Sequence, residues 1–328
     1  FRSSLTSVSA AGALLPLGQT TSDGSEWVYQ LDNYTLILDA PPEKSIRLDA
    51  PDIQVRATAG LDLSGGGDLY AYEFLPGPGG SRDILAEPGV YAVIPGYGAG
   101  YAPRDIQNSD STLQAGASVY LSGGGGLNAG VYTLLPAHYA LMPGAYLVKA
   151  VSGYQDMLPH QNRALADGAA LVAGRALVNG TDIAAGRSQG YLVASGDVVR
   201  TYSSFIESHA NTFFTQAAQA TGDTRPRLPE DAGLLSLRAT QLTMNAAPRF
   251  DVGAGGRGGM LDIASSAIAI VDDVSGVPNG YLGLSAEMLN SFNVESLLIG
   301  GTRSVSASGY DIDVNAADVR LLNSADHA

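Results

Sequence analysis

The chain has 328 residues, 45% of them hydrophobic and only 15% charged, with a formal net charge of −14. Its two lysines, Lys44 and Lys149, and scattered arginines form no basic stripe that could neutralise phosphates, which sets aside nucleic acids and anionic lipid surfaces as partners. Cysteine is absent, so disulfides, thiolate metal sites and a cysteine nucleophile are excluded.

The opening FRSSLTSVSAAGALLPLG has no initiator Met and lacks a signal-peptide core and cleavage pattern, and it reads as the start of a piece excised from a longer chain. No apolar run approaches the ~18 residues of a membrane-spanning helix, so the chain is not expected to span a membrane. Between 45 and 65 the segments SIRLDA, DIQVRA and LDLSG alternate apolar and polar residues, the period-two pattern of short strands.

The glycine run Gly65-Gly66-Gly67 then looks like a ligand loop, but it occurs twice. Residues 61–74 and 119–132 share Leu63/Leu121, Ser64/Ser122, three glycines, Leu69/Leu127 and Ala71/Ala129. Each copy goes on to Leu-Pro (75–76 and 135–136), and EPGVYAVIPGYG (87–98) parallels MPGAYLVKAVSG (142–153). Duplication of a loop with its surroundings points to a repeated structural unit, with the glycines at its corners. SGGGDLY (64–70) contains half of a calcium-binding nonapeptide, but the second copy has Gly126 in place of Asp68, so no calcium array is expected.

Residues 154–232 break the strand pattern. Within them TYSSFIESHANTFFTQAAQATG (201–222) sets Phe205, Ile206, Ala210, Phe213, Phe214, Ala217 and Ala218 on one helical face. Ser204 and Glu207 form a capping box and Gly222 suits the end, which predicts an amphipathic helix near 204–220. GRSQG (186–190) matches a nucleophile elbow, yet strand-like YLVAS follows Ser188 where a helix is required. The four histidines, 138, 160, 209 and 327, have no metal-ligand spacing.

After the proline-rich RPRLPEDAG (225–233), strands resume at about 235, 260, 282 and 310. GAGGRG (253–258) lacks the helix a dinucleotide fingerprint needs. Asp311 with Asp313, and Asp272 with Asp273, are the paired carboxylates a glycoside-cleaving site would use; solvated surface acids give the same pattern. Steps of 22–28 residues between strands match the coils of a solenoid, with a β-sandwich as the competing architecture. The expectation is an all-β right-handed parallel β-helix with a helix-containing excursion. Its coils would cover 1–153, with the duplicated unit at 61–98 and 119–153. The excursion would occupy 154–232, and coils would continue over 233–328.

The phrases LSGGGDLYAYEFLPGPGGSRDIL, VYLSGGGGLNAGVYTLLPAHYALMPGAYLV, PRLPEDAGLLSLRATQL and ESLLIGGTR resemble the filamentous haemagglutinin-like large exoproteins of Gram-negative bacteria, over roughly residues 45–315. That resemblance implies a right-handed β-helix, export through an outer-membrane two-partner secretion pore, and display at the cell surface. It implies roles in adhesion, aggregation or biofilm formation. The family's secretion domain is not evident, and the matched phrases carry no catalytic residue. The expected function is thus a non-enzymatic shaft or display segment of an adhesin, with no catalytic, cofactor or metal residues. Its partner would be a host or bacterial cell-surface glycan or protein, with self-association as a further expectation, one that ends left uncapped by excision would produce as an artefact. Candidate contact residues are Tyr91, Tyr97 and Tyr101 on the loop-rich YAVIPGYGAGYAP and Phe205, Phe213 and Phe214 on the excursion. The alternative is a polysaccharide lyase or glycoside hydrolase on the same fold.

Overall fold

The computed structural model describes residues 3–21, 23–31, 34–77, 80–98, 100–103, 113–178, 181, 183–306 and 309–324. The alternating runs all form strands: Ser45–Asp49, Asp52–Val55, Ala59–Asp62, Leu234–Arg238, Gln241–Met244, Met260–Ala264, Ala267–Val271, Leu282–Ser285 and Gly309–Val314. The chain divides into two compact units. The first comprises Phe1–Leu15, Leu38–Tyr70 and His209–Ala328, and the second Pro16–Ile37 and Ala71–Ser208. This division does not follow the expected segments 1–153, 154–232 and 233–328.

The first unit is built on short parallel ladders. Strands Ser45–Asp49, Leu234–Arg238, Met260–Ala264 and Ser296–Ile299 pair in register. Ile46, Leu235, Leu261 and Leu297 therefore stand in one column, and Leu48, Leu237, Ile263 and Ile299 in the next. A three-stranded sheet aligns Leu282, Ile268 and Val319, and beside them Leu284, Ile270 and Leu321. The inward residues of these sheets share one core with Ile53, Val55, Leu61, Leu63, Leu289 and Phe292. An antiparallel hairpin, Gly301–Ser306 with Gly309–Val314, follows the last strand of the first sheet.

The second unit centres on an eight-stranded sheet in which each recorded pairing is antiparallel. Its path runs Gly130–Thr133, Ser118–Leu121, Ala170–Ala176, Gln189–Ser195, Tyr146–Gln155, Val90–Val93 and Leu135–Pro136, with Arg163–Ala164 beside Ala170–Ala176. The two ends of that path are separated in the chain by Leu134 alone, which is fully buried. The sheet therefore bends until its edges nearly meet, a barrel-like closure that leaves few open strand edges. Tyr91, Val93, Val119, Leu121, Val148, Val172, Tyr191 and Val193 fill it. Most of a second, five-stranded sheet also lies here, in the order Phe205–His209, Asp68–Phe74, Leu14–Thr20, Trp27–Gln30 and Thr35–Leu38.

The chain is therefore not a parallel β-helix with an excursion. Its largest sheet is antiparallel and nearly closed, and parallel pairing is confined to separate short ladders. Residues 170–176 and 189–195, expected in the excursion outside the solenoid coils, are central strands of that sheet. Alternation specifies a half-buried strand but not the direction of its neighbour, and here the glycine-rich segment 122–129 reverses the chain between Ser118–Leu121 and Gly130–Thr133 instead of rounding a corner. The repeated segments make the point directly. Residues 59–62 pair in parallel with Ser4–Ser7, whereas Ser118–Leu121 forms an antiparallel hairpin with Gly130–Thr133. The same short phrase thus folds in two ways.

The helix also begins later than expected. Phe205–His209 is a strand, and three helices occur among the described residues: α1 (Gly196–Tyr202), α2 (Ala210–Thr221) and α3 (Ala286–Ser291). Phe205 packs edge-on against Tyr72 at 5.5 Å between ring centres, and Glu207 pairs with Arg200 at 2.6 Å, so neither Phe205 nor Glu207 serves a helix start. Ala210, Phe214 and Ala218 form the buried stripe of α2, and Gly222 ends it in the left-handed conformation at φ 77°.

Candidate functional site: an exposed tyrosine cluster

The candidate contact residues separate into two groups. Tyr91 is buried and donates its phenol to the Leu113 carbonyl. Phe214 is buried in α2, Phe213 meets it edge-on at 5.2 Å, and Phe205 leans on Tyr72 and Phe74. These four are packing residues. Tyr97 and Tyr101 differ: Tyr97 is half-buried and Tyr101 is 68% exposed.

Local chemistry sets both rings. Ile94-Pro95-Gly96-Tyr97 is a tight turn closed by Tyr97 N–H to Ile94 C=O at 3.0 Å, with Gly96 at φ 87°. Pro then Gly at the two central positions is the combination a type II turn requires. The turn projects the Tyr97 ring beside Tyr101, 6.2 Å between centres and tilted by 73°, and the Tyr97 phenol donates to the Tyr101 carbonyl at 2.8 Å. The Tyr101 backbone runs over Gly116, where a side chain would meet it.

Two further tyrosines join them, and neither was legible as a contact residue. Tyr139 sits on the short 3-10 turn Ala137–Leu141, its ring 4.9 Å from that of His138 and tilted by 37° to it. Burial, and then the nearby phenols of Tyr97 and Tyr29, raise its phenol above the ordinary tyrosine range. Tyr29, on strand Trp27–Gln30, is 39% exposed. Four tyrosines from distant parts of the sequence thus converge within one unit. Nothing local to Tyr29 or Tyr139 signals this, because Tyr29 comes from the five-stranded sheet and Tyr139 from the turn after strand Leu135–Pro136.

Other places that draw attention have structural duties. Ser188 of GRSQG is buried and donates to the Met157 carbonyl at 2.7 Å. Residues 253–258 lead into strand Met260–Ala264, and Arg257 turns inward to Asp231. Asp231 is fully buried and accepts from Arg257 Nε (3.0 Å), Arg257 Nη2 (2.8 Å), the Arg257 and Leu228 backbone N–H groups and Arg225 Nη2. Burial alone would raise its carboxyl, but those donors hold it below the usual carboxylate range. Beside it Lys44 Nζ donates to the Pro229 carbonyl at 2.6 Å, and burial pushes its ammonium down to about 8. The adjoining cavity is only about 20 Å³.

Asp272 accepts the Ser324 N–H and Asp273 caps a 3-10 turn through the Ser275 N–H. Asp311 and Asp313 are exposed on the hairpin strand, with Asp313 3.5 Å from Arg238. Among the described residues no group of three or more His, Asp or Glu could hold a metal ion. Among them, too, no helix is long and apolar enough to cross a membrane. An open groove of about 300 Å³ lies between Met244, Met288 and Phe292.

No family model matches the chain, no curated protein matches it, and no solved structure matches it.

Proposed function

We propose that this chain is a non-catalytic display segment of a secreted adhesin on the Gram-negative cell surface, and that the cluster of Tyr29, Tyr97, Tyr101 and Tyr139 is its contact surface for a glycan. The observation that carries the reading is the cluster itself: partly exposed tyrosines, with Tyr97 set by the hydrogen-bonded Pro95-Gly96 turn and bonded to Tyr101. Such rings combine a large apolar face with a polar tip at low entropic cost. The apolar faces suit the C–H faces of a sugar ring and the phenols suit its hydroxyls. The chain's two lysines are engaged elsewhere, Lys44 with the Pro229 carbonyl and Lys149 with Glu87, which favours a neutral glycan over an anionic one.

Export through a two-partner outer-membrane pore and a role in adhesion, aggregation or biofilm formation belong to the same proposal. They are supported by the long haemagglutinin-like phrases and the cysteine-free composition. No observation favours the polysaccharide-cleaving alternative, since Asp272 and Asp273 are occupied as backbone acceptors and Asp313 faces Arg238.

Surface plasmon resonance over immobilised glycans and bacterial or host cell surfaces tests the site. Saturable binding is expected, weakened about tenfold by Tyr101→Ala, equivalent to ~1.4 kcal/mol. A flat trace on each surface, or a Tyr101→Ala variant that binds like the parent, overturns the assignment.

A further inference from the structure

In the first unit most cations stand against a carboxylate. Arg47, Arg225, Arg249, Arg257 and Arg303 each have one at 2.9 Å or closer. Among the described residues Lys44 and Arg227 form no ion pair. Lys44 Nζ donates to the Pro229 carbonyl at 2.6 Å, and Arg227 donates through Nη1 alone, to the carbonyls of Gly258 at 2.7 Å and Ala232 at 3.4 Å. Nζ keeps donors to spare, and Nε and Nη2 of Arg227 make no hydrogen bond among the described residues.

The acids nearby do not supply the missing charge. Glu43 turns to Arg47 at 2.9 Å, Glu230 turns to Arg225 at 2.7 Å, and Asp231 is shared by Arg225 and Arg257. Glu295 comes up beside Gly258, its Oε2 3.1 Å from where a Cβ there would stand, without pairing to Arg227. Lys44, Arg225, Arg227 and Arg257 thus exceed Glu230, Asp231 and Glu295 by one positive charge, in a chain whose net charge is −14.

The two cations share one place because the chain entering strand Ser45–Asp49 lies on the start of strand Leu234–Arg238. The Leu234 N–H donates to the Lys44 carbonyl at 2.8 Å, and Gly233 permits the approach, since a Cβ on it would stand 2.5 Å from that same oxygen. Lys44 and Arg227 then line one cavity, whose other walls include the buried Leu228, Ala232, Leu234 and Met260. Its volume of about 20 Å³ admits a single water-sized guest. A cation among apolar walls is costly without a counter-charge. Burial, opposed by the charge of Asp231 and reinforced by that of Arg227, accordingly lowers Lys44 to about 8.

We propose that this cavity is an anion site in which Lys44 and Arg227 hold one monovalent ion of halide size. Such an ion cancels the local excess, takes up the spare donors of both side chains and fits the volume. Sulfate and phosphate exceed it in both size and charge. This inference goes beyond the glycan reading and does not rest on it, since the tyrosines belong to the other unit.

Chloride NMR on the full chain tests it, because the line of the free ion broadens when it exchanges with a protein site. Broadening is expected, removed by bromide and left in place by gluconate, which is too bulky to enter. Lys44→Gln and Arg227→Gln should each weaken binding about tenfold, the usual effect of removing a charged hydrogen bond. Lys149→Gln, at the lysine paired with Glu87, should leave it unchanged. Crystals of the parent soaked in bromide should show an anomalous peak between Lys44 Nζ and the Arg227 guanidinium, which decides the question even where a variant fails to fold. The absence of that peak, displacement by gluconate as strong as by bromide, or broadening indifferent to both substitutions overturns the inference. Loss of glycan binding in Tyr101→Ala bears on none of these results.

Discussion

Glu73 is the least conventional single residue in the molecule. It lies on strand Asp68–Phe74, 7% exposed, and neither carboxylate oxygen has a hydrogen-bond partner. The side chains of its neighbour Tyr72 and of Gln19 on the adjoining strand meet, so alternation places Glu73 and Thr20 together on the opposite face. The Thr20 hydroxyl is likewise buried and unpartnered. Burial, and then the charge of Asp23, raise the Glu73 carboxyl above the ordinary glutamate range. The native state therefore keeps a proton that the unfolded chain has released, and stability falls as pH rises from the ordinary glutamate value through the raised one. Glu73→Gln removes that dependence. The variant should gain on the parent as pH rises through this window, and the two should run parallel below it. Trp27, the sole tryptophan and fully buried in the same sheet, reports the unfolding by fluorescence. A stability difference that does not change with pH would exclude a neutral Glu73.

Among the elements, α2 shows how a cap can be supplied from far away in sequence. Its N-cap residue, His209, provides no side-chain bond. Instead Asp68, directly after the glycine run, accepts from the Asn211 N–H at 3.0 Å, and the Asn211 side chain donates to the Gly67 carbonyl at 3.1 Å. The glycines permit this close packing, since a Cβ on Gly67 would sit 2.0 Å from the Ala10 carbonyl oxygen. Asp68→Ala should cost ~1 kcal/mol in chemical denaturation, the usual worth of a helix cap, and Asp68→Asn much less. Equal losses in both variants would point to charge instead of capping. The end of α2 was legible from Gly222, and its start was not. Phe-Ile-Glu-Ser-His alternates as well as it spirals, and the ring contact of Phe205 with Tyr72 decides for the strand. Strand positions were legible where apolar and polar residues alternate, at 45–62, 234–271, 282–285 and 309–314, but not at 14–38, 118–133, 170–176 or 205–209. Strand direction was not, and the antiparallel sheet of residues 90–195 went unrecognised for that reason.

On the scale of the whole molecule, the first unit is assembled from three separated stretches of chain. Strand Leu234–Arg238 needs Ser45–Asp49 on one side, and Gln241–Met244 needs Asp52–Val55. Leu235 and Leu237 share their core with Ile46, Ile53, Val55, Leu61 and Leu63. Residues 209–328 expressed alone should therefore lack a cooperative melt and well-dispersed amide resonances, despite containing most of that unit's strands. A sharp melting transition in this fragment would show that the later strands suffice. Long-range pairing of this kind carries a loop-closure cost before any contact rewards it, so the full chain is expected to fold slowly. The tyrosine cluster was legible only in part for the same reason: Tyr97 and Tyr101 share a turn, whereas Tyr29 and Tyr139 reach it through distant pairing.

The duplicated stretches 87–98 and 142–153 carry one more implication. Each follows a short 3-10 turn, each turns at a glycine with φ 75° (Gly89 and Gly144), and each then enters a strand. The two strands are each other's neighbours, and Ala92 and Leu147, which hold equivalent places in the two stretches, are direct register partners. A local dyad therefore passes between them, as it would between two identical molecules. The dyad is confined to this strand pair, because the stretches that precede the two strands, 61–74 and 119–132, enter different sheets, so the likeness of the two phrases sets their mutual register and nothing wider.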